Sequence, residues 1–312
     1  MILVTGGAGF IGSHLCHRLR SQGEEVLVVD DFSRSKLPDS CDDRTINCDI
    51  RDYEQLQDDL VEANRSGLFF DEVIHLAAVN GTKNFYEEPA WVLQVAIQGI
   101  VNIETVCHKF GVKKFILMSS SEVCRAQLVD CGEAIPLVIP DPYNPRYSYS
   151  AGKIISEMVC LHSPQFDRLV IVRPFNIYGP GMAPGHVVPD IIEQFKQDDS
   201  REPIEIKLIG SGEETRSFCY IDDLIDGLMI ARERGEHRGI YNIGNPQETT
   251  IKHLAETIGA ISGKNFNLEF GNAWREGDLP RRRPDISKLV ALGYEPKMTL
   301  WNGLRATMET GR

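Results

Sequence analysis

Cations are scarce in this chain. Its 312 residues carry 33 Lys and Arg against 45 Asp and Glu, a net charge of −12, and the isoelectric point is near 5.2. Tracking a nucleic acid needs clustered cations, so no nucleic acid partner is expected. A small phosphorylated ligand asks only for a few local ones. Long apolar runs are missing too: none approaches the roughly 20 residues that span a bilayer, and no membrane partner is expected. No basic region or apolar h-region precedes Ile2-Leu3-Val4, which predicts no signal peptide. The eight cysteines (Cys16, Cys41, Cys48, Cys107, Cys124, Cys131, Cys160 and Cys219) form no Cys-x-x-Cys. They read as reduced, buried thiols of a cytoplasmic protein. His14 and His17 lack acidic or cysteine companions, so no metal is expected. Repeats and low-complexity tracts are absent.

What is present is alternation. Ile2–Val4, Glu25–Val29, Glu72–Leu76, Lys114–Met118 and Leu169–Val172 are strand-like, and helical patterns fall between them at about Phe10–Arg20, near Pro89–Phe110 and after Tyr149. Such runs predict an α/β fold, a doubly wound parallel sheet buried on both faces. Its strand C-termini share the ligand-binding edge. After Gly179 the segments shorten and Pro and Gly become frequent. We read residues 1–178 as a Rossmann domain to which 215–248 return. Residues 179–214 and 249–312 form a smaller interleaved C-terminal lobe for substrate. Ser33–Asp43 is expected to be a mobile loop.

Thr5-Gly6-Gly7-Ala8-Gly9-Phe10-Ile11-Gly12 joins the first strand to the first helix. Gly6 permits the tight turn, Gly9 the approach of a pyrophosphate, and Gly12 close packing of helix on strand. The helix N-terminus, opened by Phe10 and Ile11, offers free N–H groups and a positive dipole end. Asp30 ends the second strand, where a carboxylate accepts hydrogen bonds from ribose hydroxyls and repels a 2′-phosphate. The expected cofactor is therefore NAD rather than NADP, although Arg34 and Lys36 are nearby cations. Asp49-Ile50 follows a third strand, and Asp49 is placed to meet the adenine amino group or to be an ordinary loop residue. Ala77 and Ala78 let a flat cofactor approach, and His75 reads as a satisfied core histidine.

Ser119-Ser120-Ser121-Glu122 ends the fifth strand, and Tyr149 and Lys153 lie one helical turn apart. A tyrosine titrates near 10 and is a poor base at neutral pH. A nearby ammonium stabilises its phenolate, and a serine hydroxyl can hold the substrate oxygen.

With these residues in view, the chain resembles an extended short-chain dehydrogenase/reductase of the NAD-dependent nucleotide-sugar epimerase/dehydratase family. The resemblance rests on Thr5–Gly12, Asp30, His75–Ala78, Ser119–Val123, Tyr149 and Lys153. It extends through Arg173-Pro174-Phe175-Asn176-Ile177-Tyr178-Gly179-Pro180, Arg216–Asp223 and Pro284–Lys288. It implies that Tyr149 takes the sugar O4 proton while the C4 hydride moves to NAD, with Ser120 holding that oxygen. Lys153 would bind the nicotinamide ribose and tune Tyr149. Asn176 and Arg216 would bind the diphosphate of a nucleotide-diphosphate sugar, with Arg281, Arg282 and Arg283 as further cations, Arg281 and Arg282 foremost. It also implies a homodimer built on the Pro89–Phe110 and Tyr149–His162 helices, through positions such as Val92, Val95, Ala96, Ile103, Ile154, Met158 and Leu161.

A 4-keto sugar can be reduced on its other face, can lose water, or can lose CO2 if C6 is a carboxylate. Glu122 leans the reading towards the last two, because simple 4-epimerases usually have a neutral residue there. Ser121 before it resembles the decarboxylases, as does the position of Arg282. Val123-Cys124-Arg125 departs from the frequent Val-Tyr-Gly, and Gly181 stands where decarboxylases often have Arg. A 4-epimerase is the alternative, and a non-catalytic NAD-binding sensor a remote one.

Overall fold

Seven short apolar runs pair side by side. They are β1 (Ile2–Thr5), β2 (Val26–Asp30), β3 (Thr45–Asn47), β4 (Glu72–His75), β5 (Lys114–Met118), β6 (Arg168–Pro174) and β7 (Gly239–Ile243). The computed structural model of the chain describes residues 1–34, 44–126, 129–196, 203–271 and 279–310. Lys36, Cys41 and most of the loop expected over Ser33–Asp43 lie outside the described residues. The sheet order is β7-β6-β5-β4-β1-β2-β3, and every pair is parallel. Ile2, Val4, Val26 and Val28 enter one apolar layer, while Leu3, Leu27 and Val29 enter the other. That is the two-residue period of a strand with both faces covered, which is why the runs are continuously apolar. Each such side chain, fully buried, contributes about 1.5–3 kcal/mol.

Helices Phe10–Ser21 and Ile221–Arg234 cover the first face, and Tyr53–Arg65 and Pro89–Phe110 the second. Pro89 starts the last of these and Gly111, at φ 70°, ends it, the ordinary asymmetry of helix ends. This 22-residue helix corrects one expectation, since by length and composition alone it could cross a membrane. Half of its most apolar window is buried inside the fold, against the sheet and the helix Ser148–His162. The same packing revises the expected dimer positions. Val92, Val95, Ala96 and Ile103 are buried within the chain, whereas Met158 and the unremarked Val101 are exposed.

The chain runs outward from β1 to β3 and then returns to β4 on the other side of β1. This reversal opens a crevice at the carboxyl ends of β1 and β4. Over that edge stand the strand pairs Ile204–Leu208 with Phe266–Phe270 and Thr215–Ser217 with Glu248–Thr250. The helices Val187–Lys196, Ile251–Ser262 and Leu300–Thr310 accompany them.

Candidate active site

The carboxyl edge of the sheet and the segments above it enclose a cavity of about 560 Å3. At one end lies the glycine turn. Gly6 has φ +71°, and a Cβ on it would stand 2.7 Å from the Ala77 nitrogen. A Cβ on Gly12 would stand 2.1 Å from the Gly6 oxygen. Only glycine fits either place. Gly9 enters the helix extended, with no side-chain cap and no acidic residue in the first turn. Phe10 and Ile11 line the cavity there, so an anion would meet uncapped N–H groups and the positive end of the dipole.

Asp30 borders the same end. Its carboxylate accepts the Ala8 N–H at 3.0 Å and the Phe32 N–H at 2.9 Å. It therefore braces the turn while facing the cavity, and burial lifts its pKa above the ordinary carboxylate value. Ile50, Ala77 and Asp49 also line this end, but Arg51 engages both Asp49 oxygens at 2.5–3.1 Å. Its pKa is lowered by that pairing, so the carboxylate expected to face adenine already has a local partner. His75 bonds the Thr5 hydroxyl at 2.7 Å. Burial, with the Lys153 charge second, pushes its pKa down to about 3, so it is a neutral core histidine.

At the other end, Tyr149 lines the cavity beside Ser120 and stacks on Phe85, ring centroids 5.0 Å apart. Burial raises its pKa well above 10; the Ser120 hydroxyl and then the Arg34 charge work in the lowering direction. Lys153 donates to the Met118 carbonyl at 2.7 Å, its ammonium 5.8 Å from the Tyr149 ring centre. Burial brings its pKa down to about 8, opposed first by Glu157. Glu157 is itself wholly buried, bonded to Arg173 at 2.6 and 2.8 Å and to Ser119 at 2.5 Å.

Glu122 follows Ser120 in a short 3-10 turn, its N–H donating to the Ser120 hydroxyl at 3.1 Å. Three guanidinium groups converge on it. Arg125 contacts one carboxylate oxygen; Arg282 at 2.6 Å and Arg146 at 3.2 Å contact the other. Arg282 also reaches the Ser121 hydroxyl at 3.4 Å. Burial alone would raise the carboxyl pKa, but the charges of Arg282, Arg146 and Arg125 together hold it well below the usual range. An anion so held is a weak proton acceptor at neutral pH.

Comparison with known proteins gives this constellation its relatives. The family model described as the NAD dependent epimerase/dehydratase family matches residues 2–244. The chain belongs to that family. UDP-glucuronic acid decarboxylase 2 of Arabidopsis thaliana is 33% identical over 308 residues, covering 97% of this chain and 66% of the plant protein. The chain thus spans just under two thirds of that relative. UDP-N-acetyl-alpha-D-glucosaminuronate decarboxylase of Bacillus cytotoxicus is 31% identical over 321 residues, covering 98% of this chain and 96% of its own. Among solved structures, the Thermotoga maritima UDP-glucose 4-epimerase with UDP-glucose superimposes with a TM-score of 0.85. It has 28% identity and covers 99% of this chain and 98% of its own.

NAD is the cofactor of this epimerase/dehydratase family member, and the residues fit it. The uncapped helix start, the glycine cradle and Asp30 would hold its pyrophosphate and adenosine ribose. Further along, Asn176 and Arg216 line the cavity. Asn176 holds a φ of 43° and donates to the Ser217 carbonyl at 3.2 Å.

Arg281 does not reach the site. Its side chain is half exposed and bonds Glu248 at 2.5 and 3.0 Å. Arg283 likewise turns out, to Asp130 at 2.7 Å. Of the three adjacent cations only Arg282 points inward, because neighbouring side chains on an extended segment face opposite ways. Arg125 and Arg146 went unselected in the sequence. Arg125 is three residues after Glu122, a spacing that flags ion pairs, but nothing local marks Arg146. Arg34 lines the cavity with its charge acting on Asp31, Tyr149 and His186.

Proposed function

We propose that this chain decarboxylates a nucleotide-diphosphate-linked uronic acid through transient oxidation at C4. The observation that carries the reading is the pair Arg146 and Arg282, brought from distant segments to the cavity wall beside Ser120 and Tyr149. With Arg125 they set three cations against one carboxylate. A neutral sugar gives that surplus nothing to do, while a C6 carboxylate pairs with it.

Bound NAD supplies the hydride acceptor and donor at C4. Tyr149 removes the O4 proton, and Ser120 holds the oxygen. The resulting β-keto acid releases CO2 as its C5–C6 bond breaks, and the electron pair passes into the C4 carbonyl. Tyr149 and Ser120 hydrogen-bond the oxygen where that charge collects. C5 then regains a proton. Dehydration instead asks a side chain to remove the C5 proton, and Glu122, locked among arginines, is poorly suited to it. This favours decarboxylation of the two reactions between which the sequence lean did not choose.

Asn176 and Arg216 would bind the diphosphate, and the segments 179–214 and 249–312, which bring Met182, His186 and Arg282 to the cavity, would serve as the sugar-binding lobe. The exposed Val101 and Met158 on adjoining helices support a homodimer. The seven described cysteines, all free and buried, support a reducing compartment such as the cytoplasm. Incubation with UDP-glucuronate, UDP-glucose and their amino-sugar counterparts, read by mass spectrometry, tests the reaction. Loss of CO2 from a uronate is expected. Loss of water, or a changed sugar of unchanged mass, would overturn the reading.

A further inference from the structure

The three arginines around Glu122 are not equivalent. Arg146 and Arg282 line the cavity, and both contact the same oxygen, Oε1. Arg125 contacts the other oxygen, Oε2. Its side chain is 1% exposed and is not part of the cavity wall. Its guanidinium lies over the ring of Tyr147, 5.1 Å from the centre, a placement that fixes a cation from behind. Glu122 therefore has one partner at its back and two at its front.

We propose that Arg125 is the standing counter-ion of Glu122, which frees Arg146 and Arg282 to turn towards an anionic sugar. The inference rests on the uronate reading above and goes beyond it by naming the residue that makes the exchange possible. When a sugar carboxylate draws the two front guanidinium groups off Oε1, Glu122 must not be left as an isolated buried anion. Such a charge is very costly without a partner. Arg125 supplies that partner from just past the same short turn, three residues on, and keeps it whether or not substrate is bound. It touches neither substrate nor cofactor, so it is a positioning residue that sets charge preference.

The test is binding rather than turnover. In a Tyr149→Phe background, which slows chemistry by about 10²–10⁴-fold, NAD-loaded protein is titrated calorimetrically with UDP-glucuronate and with UDP-glucose. The parent should bind the uronate at least about tenfold more tightly. Adding Arg125→Met should bring that ratio close to one, because Arg146 and Arg282 must then stay with Glu122. UDP-glucose affinity should move by no more than about twofold, which a general loss of structure would not allow. Arg125→Lys keeps the charge and should restore most of the preference. A preference undiminished in Arg125→Met would overturn the inference while leaving the uronate reading in place. Equal binding of both sugars by the parent would overturn that reading and the inference with it. Should Arg125→Met fail to hold UDP-glucose, Arg125→Lys decides, since loss of the preference with the charge retained also overturns the proposal.

Discussion

The two ends of the cavity are built by different means. At the cofactor end the working groups are mostly backbone: a glycine turn, the start of one helix, and Asp30 bracing both. These come from the first 30 residues and a few strand ends. At the sugar end the working groups are side chains brought together from afar, with Arg282 meeting Glu122 across 160 residues of sequence. A backbone site costs little desolvation, because N–H groups at a helix start are partly unsatisfied anyway. A side-chain site of buried ions balances large opposing terms. The first end should therefore tolerate changes at the second, and single substitutions at the second should have steep effects.

Tyr149→Phe puts the greatest strain on this comparison. It removes the hydroxyl but keeps the ring stacked on Phe85. Turnover should fall by about 10²–10⁴-fold. NAD affinity, measured by calorimetry, should stay within about threefold. A parallel collapse of NAD binding would show that the two ends are not separable.

Arg282→Ala comes next. It leaves Glu122 with Arg125 and Arg146, so the carboxylate remains paired while the front of the cavity loses one cation. The kcat/KM for the uronate should fall about 10²-fold, the scale of a lost charge-assisted pair. UDP alone should bind as before. An unchanged kcat/KM would remove Arg282 from the sugar end.

The same division decides what could be read from the sequence. The parallel sheet, the glycine turn, Asp30 and the Tyr149/Lys153 pair have local signatures, and each was legible. A helix was expected near Pro89–Phe110, and Pro89 and Gly111 mark its ends in the structure. Arg146 was not legible, since its meaning lies in a contact with a residue 24 positions earlier. Arg281 was over-read. Three adjacent arginines are equal as letters, and only the folded segment divides one inward from two outward. Glu122 was picked out through the resemblance, but the three guanidinium groups that hold it as an anion are brought to it by folding.

Lys153 joins the two ends, and its titration offers a gentler probe. Its folded pKa is about 8 against 10.5 for an ordinary lysine. Between those pH values the folded chain lacks a proton that the unfolded chain keeps. The contribution of this one group to stability therefore rises across that window. Its hold on a bound cofactor moves the opposite way, because an ammonium donates a stronger hydrogen bond than an amine. NAD affinity should decline by roughly fivefold as pH climbs from about 7 to 9. In Lys153→Met it should be weaker at neutral pH and flat across that range. The same decline persisting in Lys153→Met would assign it to another group.

The smallest effect is expected one residue from one of the largest. Arg281 sits beside Arg282, yet its guanidinium is in solvent and its partner is Glu248, not the cavity. Glu248 keeps other company when that partner goes: the Thr215 hydroxyl at 2.6 Å and Arg283 at 3.7 Å. An exposed ion pair with such a replacement at hand contributes little. Arg281→Ala should leave KM for the nucleotide sugar within about twofold of the unmodified protein. It should also leave the response to salt unchanged, because no substrate phosphate would have lost a contact. A large rise in KM, suppressed at high ionic strength, would mean that Arg281 leaves Glu248 to meet the substrate. The sugar end would then extend onto the outer face of this segment, and the contrast between inward Arg282 and its outward neighbours would hold only before substrate arrives.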